Sequence, residues 1–219
     1  MLIGFDLDMT LVNTARGITI TLQTALAEAG VTLADDAVWP YIGISLADTV
    51  EALAPGVDGP TVVARYRELY PSIGLATITP LPGALATVDL LRAEGHQVAV
   101  VSAKIEPAVR IVLAAVGLEV DQVVGDLFAE AKGAWLLAHQ AAVYVGDHPG
   151  DMRAAQVSGA IGVGVSTGPH TPDDLWRAGA DVVLPGLESF APWWAQAASA
   201  DANGRRFAIP LRPGAHRDI

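Results

Sequence analysis

Apolar residues along this chain fall into two kinds of pattern. Short uninterrupted runs, rich in Val and Ile, occupy Leu2 to Phe5, Val98 to Val101, Ala142 to Val145, Ile161 to Val165 and Val182 to Leu184, with Val123-Val124 as a shorter one. Such runs lack polar alternation, as a parallel sheet covered on both faces requires, because each strand buries both of its sides. Between them the apolar positions recur at helical spacing. Val109, Val112, Leu113 and Val116 stand at i, i+3, i+4 and i+7, with Pro107 near the start and Gly117 just past the end. A second stripe runs from Gly83 through Leu85, Val88 and Leu91 to a stop at Gly95. Strand and helix in alternation predict an α/β domain built on a doubly wound parallel sheet with right-handed crossovers.

Residues 14–78 interrupt that alternation. Ile18, Leu22, Ala25, Leu26 and Ala29 share one helical stripe, with Asn13 or Thr14 as candidate cap. Another helical pattern follows Gly59-Pro60, with Val62, Tyr66 and Leu69 on one face, and is expected to end at Pro71. No strand pattern lies between them. The expected organisation is an α/β core of residues 1–13 and 79–200, with a small α-helical insertion of residues 14–78 after the first strand. Thr79-Pro80-Leu81-Pro82-Gly83 leads the chain back. Residues 201–219 are expected to form a loosely ordered tail, with Arg205, Arg206, Arg212 and Arg217 among prolines and glycines.

Composition narrows the class. Hydrophobic residues make up 52% of the chain and charged residues 17%, the balance of a folded globular protein. No apolar run approaches the ~18 residues of a membrane span, and Met1 to Asp6 lack the basic start of a signal peptide. A cytoplasmic location is expected. The absence of cysteine excludes disulfides and thiolate metal sites. A formal net charge of −11, from 24 acids against 13 bases, disfavours nucleic acid and anionic membranes as partners. It also repels phosphorylated metabolites, so a phosphate site here needs positive charge of its own, such as a metal ion.

Candidate chemistry lies where predicted strands end, since ligands of open α/β sheets bind at the carboxyl ends of the strands. The first strand runs into Asp6-Leu7-Asp8-Met9-Thr10, and the fourth into Gly146-Asp147-His148-Pro149-Gly150-Asp151. Taken singly each is a plausible polar turn, and roughly one chain in five of this composition would hold the first pattern by chance. Together they bring four carboxylates to one sheet edge, which is unstable unless a cation balances them. Mg2+ fits, as a hard ion that takes oxygen ligands and commonly accompanies phosphate. Ser102 ends the strand from Val98 to Val101, just before a helix whose N–H groups can hold an anion. Lys132 is one of only two lysines in the chain and precedes the strand that leads to Asp147.

Asp-x-Asp-x-Thr, Ser, Lys and Gly-Asp-x-x-x-Asp, in that order, resemble the four motifs of the haloacid dehalogenase-like superfamily over about residues 2–190. The stretch from Val145-Gly146-Asp147 through Thr167-Gly168 to Ala178-Gly179-Ala180-Asp181 is most similar to phosphoglycolate phosphatase-type enzymes. Met9 stands where glycine is common in that superfamily, and Ala103 where asparagine is frequent. The resemblance implies a Rossmann-like core with a helical cap at residues 14–78, and Mg2+-dependent hydrolysis of a small phosphorylated metabolite. It also implies roles. Asp6 would be the nucleophile and a metal ligand, and Asp8 the acid and base, with its main-chain carbonyl on the metal. Thr10 would orient the loop. Ser102, the N–H of Ala103 and Lys132 would bind phosphoryl oxygens, while Asp147 would ligate Mg2+ directly and Asp151 through water. Arg16, Tyr41 and Ser45 are the candidate substrate contacts from the insertion. A phosphosugar mutase would use the same residues. A dehalogenase would need no Mg2+, and a non-catalytic binding protein would be expected to have lost a reacting group.

Overall fold

The computed structural model describes residues 1–201. The arginines assigned to a tail lie outside the described residues. The strands, in chain order, are β1 (Leu2–Phe5), β2 (Val12–Asn13), β3 (Thr79–Pro80), β4 (Gln97–Val101), β5 (Gln122–Val124), β6 (Ala141–Gly146), β7 (Ile161–Val165) and β8 (Val182–Leu184). Six of them form one sheet in the order β5-β4-β1-β6-β7-β8, with every pairing parallel. This is the expected doubly wound arrangement, and each apolar run of the sequence becomes a strand of it. The order reverses at β1, which lies between β4 and β6. A crevice therefore opens at its carboxyl end.

Alternate residues of the strands face opposite layers. Ile3, Phe5, Val98, Val100, Val143 and Val145 belong to one buried cluster, with Leu91 of α4 (Ala84–Ala93), Val112 of α5 (Glu106–Val116) and Trp194 of the last helix (Phe190–Asp201). Trp193 and Trp194 are core residues. Leu2, Ala99, Val101 and Tyr144 face the other way, against Leu136 of α6 (Glu130–Ala138) and Ala154 of α7 (Pro149–Ser158). That second layer is tight. A Cβ at Gly4 would stand 2.8 Å from the ring of Tyr144, so glycine there makes room for an aromatic side chain that reaches the carboxyl edge.

The insertion contains α1 (Ala15–Glu28), α2 (Leu46–Leu53) and α3 (Gly59–Ile73). Three details differ from expectation. Residues 46–53 form a helix that the periodicity did not signal, because eight residues carry too little pattern. α3 continues through Pro71 to Ile73, since Val62, Tyr66 and Tyr70 hold it down by burial and a proline in the last turn forfeits a single hydrogen bond. Thr79 and Pro80 are more than a linker, pairing antiparallel with Val12 and Asn13 in a small ribbon where the insertion leaves and rejoins the chain. Thr14 occupies the cap position of α1 without a side-chain cap hydrogen bond. Among the described residues no helix is long and apolar enough to cross a membrane.

Candidate active site

Strand register builds the site. Phe5 pairs with Val100 on one side and Val145 on the other. The residues just beyond, Asp6, Ser102 and Asp147, consequently leave the sheet along one edge. Met9, in the turn after Asp8, has φ of 58°, the left-handed region that favours glycine; its backbone carbonyl accepts a hydrogen bond from the Thr167 hydroxyl, which holds the turn in place. Asp6, Asp8, Thr10, Ser102, Lys132, Asp147 and Asp151 are all buried. Every charged residue classed as buried among those described belongs to this edge. Burying charge is costly unless it is paired, so the concentration of it in one place marks the site independently of any motif.

Lys132 sits in the first turn of α6, and its Nζ lies 2.7 Å from both Asp6 Oδ1 and Asp151 Oδ1. Gly133 lets α6 approach α7, since a Cβ there would lie 2.6 Å from Val157. Asp151 is fixed from several sides. Its Oδ2 accepts the His148 N–H at 3.1 Å, and the Tyr144 hydroxyl is 3.3 Å from its Oδ1. His148 caps α7, its Nδ1 accepting the Gly150 N–H at 2.9 Å. Burial pushes this imidazole down to about 4, so it is neutral and has a structural part to play.

Thr10 Oγ1 donates to Asp147 Oδ1 at 2.9 Å, whereas Asp147 Oδ2 is buried with no hydrogen-bond partner. A Cβ at Gly168 would stand 1.8 Å from that oxygen, so glycine leaves it room. One carboxylate oxygen from each of Asp6, Asp147 and Asp151 falls within 4.8 Å of the others. An orphaned oxygen and three converging hard donors are what a divalent cation such as Mg2+ requires, and these residues fit one. The electrostatics point the same way. Burial pushes the Asp6 carboxyl up to about 7, opposed by Lys132 and reinforced by Asp151 and Asp8. Burial likewise raises Asp147 well above the usual carboxylate range, with Asp6 and Asp151 adding to it. Burial alone would lower Lys132, but Asp151 and Asp6 outweigh it and keep the ammonium charged.

The carboxylate of Asp8 is not part of that group. Its Oδ2 lies 3.4 Å from the Nζ of Lys104, and its Oδ1 is buried without a partner. Lys104 Nζ also stands 4.9 Å from the ring centroid of Tyr70 on α3. Sequence reasoning passed over Lys104, although it is the chain's other lysine and follows Ser102 by two residues. Its backbone N–H donates to Ser102 Oγ at 3.2 Å. With both lysines counted, the four carboxylates exceed the ammonium groups by two charges, which one divalent cation would balance.

A cavity of about 370 Å³ opens from Asp8, Ala103 and Lys104 toward the insertion. Of the three residues expected there as substrate contacts, Tyr41 and Ser45 line it and Arg16 does not. Arg16 is exposed on α1. The Ser45 hydroxyl is engaged as the cap of α2, donating to Asp48 Oδ2 at 2.6 Å and accepting the Asp48 N–H at 3.1 Å. Tyr66 and Tyr70 also line the cavity. In sequence they are apolar positions of α3, at a spacing that a core-facing stripe would share.

The chain matches the haloacid dehalogenase-like hydrolase family over residues 3–165. It is 30% identical over 204 residues to the probable phosphatase IndB of Dickeya dadantii, covering 84% of this chain and 88% of that protein. It is 29% identical over 219 residues to the phosphoglycolate phosphatase of Rhodospirillum rubrum, with 86% and 88% covered. Among solved structures, a haloacid dehalogenase-like family hydrolase, SP0104 from Streptococcus pneumoniae, superposes with a TM-score of 0.78 at 20% identity, covering 88% of this chain and 97% of that one. With a family match running from β1 to β7 and a relative of that identity over most of its length, this chain is an enzyme of the haloacid dehalogenase-like hydrolase family.

Proposed function

We propose that the chain is a cytoplasmic phosphatase that hydrolyses a small phosphomonoester with Mg2+, by way of a phosphorylated Asp6. One observation carries the reading: the carboxylates of Asp6, Asp147 and Asp151 converge within 4.8 Å at the end of β1, with the Lys132 ammonium against two of them. Mg2+ would be held by Asp6, Asp147, Asp151 and the main-chain carbonyl of Asp8, and when bound it supplies the charge that lets a phosphate dianion approach these acids.

Lys132 holds Asp6 Oδ1, which leaves Oδ2 to attack phosphorus. The new O–P bond forms as the bond to the alcohol oxygen breaks, and Asp8 gives that oxygen its proton. Asp8 then takes a proton from water as the water oxygen bonds to phosphorus and the bond to Asp6 breaks, releasing inorganic phosphate. The Ser102 hydroxyl, the Ala103 N–H and the Lys132 ammonium bind the phosphoryl oxygens, where charge must be offset in the transition state. Thr10 keeps Asp147 in place through its hydrogen bond. Residues 1–13 and 79–200 perform this chemistry, and residues 14–78 act as a cap that excludes water and contacts the alcohol.

Phosphate release from simple phosphomonoesters should require Mg2+ and stop on chelation. Under single-turnover conditions, acid quench should trap label from a phosphorylated substrate on Asp6, and Asp6→Asn should abolish both the label and turnover. Full activity in protein verified free of metal would overturn the metal requirement, and turnover by Asp6→Asn would overturn the covalent route.

A further inference from the structure

The cavity beside Asp8 says what kind of alcohol the substrate carries. Its wall includes Asp8 and Ala103 but not Asp6, so it lies on the side of the group that leaves and away from the nucleophile. At about 370 Å³ it far exceeds what a two-carbon alcohol occupies, given that one water takes up roughly 30 Å³. Ile18, Ile42 and Ile44 from the insertion and Pro107 and Ile111 from α5 make its walls largely apolar.

Charge decides the rest. Among the described residues, the cations of this wall are Lys104 and Arg67. Lys104 is engaged by Asp8 at 3.4 Å and by the Tyr70 ring at 4.9 Å, and Arg67 is exposed at the rim. Asp8 and Asp126 add negative charge. A carboxylate on the substrate, beside its phosphate, would thus be desolvated here with no buried, uncommitted cation to receive it, which is strongly unfavourable. One polar feature remains. Tyr70 is 2% exposed and lines the cavity, and its hydroxyl has no hydrogen-bond partner. A hydrogen-bonding group on the ligand would satisfy it.

Resting on the phosphatase reading above, we infer that the substrate is the phosphomonoester of an uncharged alcohol with a ring-sized, largely apolar body and a hydrogen-bonding group, and not of a small carboxylated alcohol such as glycolate. The test compares kcat/KM for benzyl phosphate, ethyl phosphate and 2-phosphoglycolate in Mg2+, three alkyl esters that differ in the size and charge of the alcohol. Benzyl phosphate should exceed ethyl phosphate by about tenfold or more, and phosphoglycolate should fall below both. Ile111→Arg places a cation in the wall at a position that is already 36% exposed, so the fold should tolerate it. It should narrow the benzyl-to-phosphoglycolate ratio by about tenfold. Efficient hydrolysis of all three esters with phosphoglycolate preferred, or a ratio that Ile111→Arg leaves unmoved, would overturn this inference while leaving the phosphatase standing. Hydrolysis of none of them would remove the phosphatase reading and this inference with it.

Discussion

On the sheet side of Asp8, four charged side chains, Asp6, Lys132, Asp147 and Asp151, are buried, and each makes at least one side-chain hydrogen bond. Asp151 alone meets Lys132, Tyr144 and the backbone of His148. On the insertion side, a cavity is walled largely by apolar side chains, with isoleucines and tyrosines prominent among them, and the partly buried pair of Lys104 with Asp8 lies in its wall. The first region tolerates little displacement, because moving any member uncovers a buried charge. The second is held by non-directional packing, which accepts changes of shape at modest cost. Chemistry and recognition are separated accordingly. On the function proposed above, the nucleophile and the metal-holding acids stand in the paired region, Asp8 lies at the boundary, and selection would fall to walls that can change without disturbing the buried pairs.

The two lysines offer the sharpest test. Lys132→Met should lower kcat by about a hundredfold to a thousandfold and destabilise the fold by about 3 kcal/mol, because Asp6 and Asp151 lose their buried partner. Lys104→Met should cost less stability, since that ammonium retains some contact with solvent. Denaturant titrations of both variants check the order, and equal losses would erase the contrast between the regions.

A smaller effect should appear in the pH dependence of the metal-free protein. Asp6 has a folded-state value of about 7 against an ordinary 3.8, so between those values the folded state holds a proton that the unfolded state has released. Stability should therefore decline as pH rises from about 4 to 7, by at most about 1.4 kcal/mol per pH unit from this group. Saturating Mg2+ should flatten the decline by favouring the ionised acids. Thermal melts across that range, with and without metal, measure it; a metal-free melting temperature that rises with pH would contradict the assignment.

The smallest effect concerns the insertion. Ser45→Ala should cost about 1 kcal/mol as a lost helix cap and leave the ratio of kcat/KM between any two substrates unchanged. Uneven changes across a substrate panel would make Ser45 a substrate contact after all.

These contrasts follow the line between what was legible in the sequence and what was not. Thr10 followed from the first motif, and Lys132 from the scarcity of lysine and the order of the motifs. Asp6, Ser102, Asp147 and Asp151 could be brought together in advance, because a strand end is recognisable from a short apolar run and parallel strands deliver their ends to one edge. The acid of Asp8 was found by the same logic, but its separation from the three-carboxylate group was not. Strand residues project alternately, yet beyond the strand the turn around Met9 sets where the Asp8 side chain goes.

The sequence by itself therefore determined the six-stranded core and the acidic edge, since both depend on local periodicity and on residue types that bury charge only for a purpose. Tertiary structure alone decided the cavity. Tyr66 and Tyr70 share a stripe with core positions of α3, and no spacing along the helix says whether a given residue meets β1 or an open space beside α5. The packing of α1 and α3 above Lys104 settles that. It also leaves Arg16 outside the cavity, commits the Ser45 hydroxyl to a cap and sets Lys104 against Asp8. Those outcomes depend on how elements far apart in the chain divide a shared volume, and a linear pattern does not record such a division.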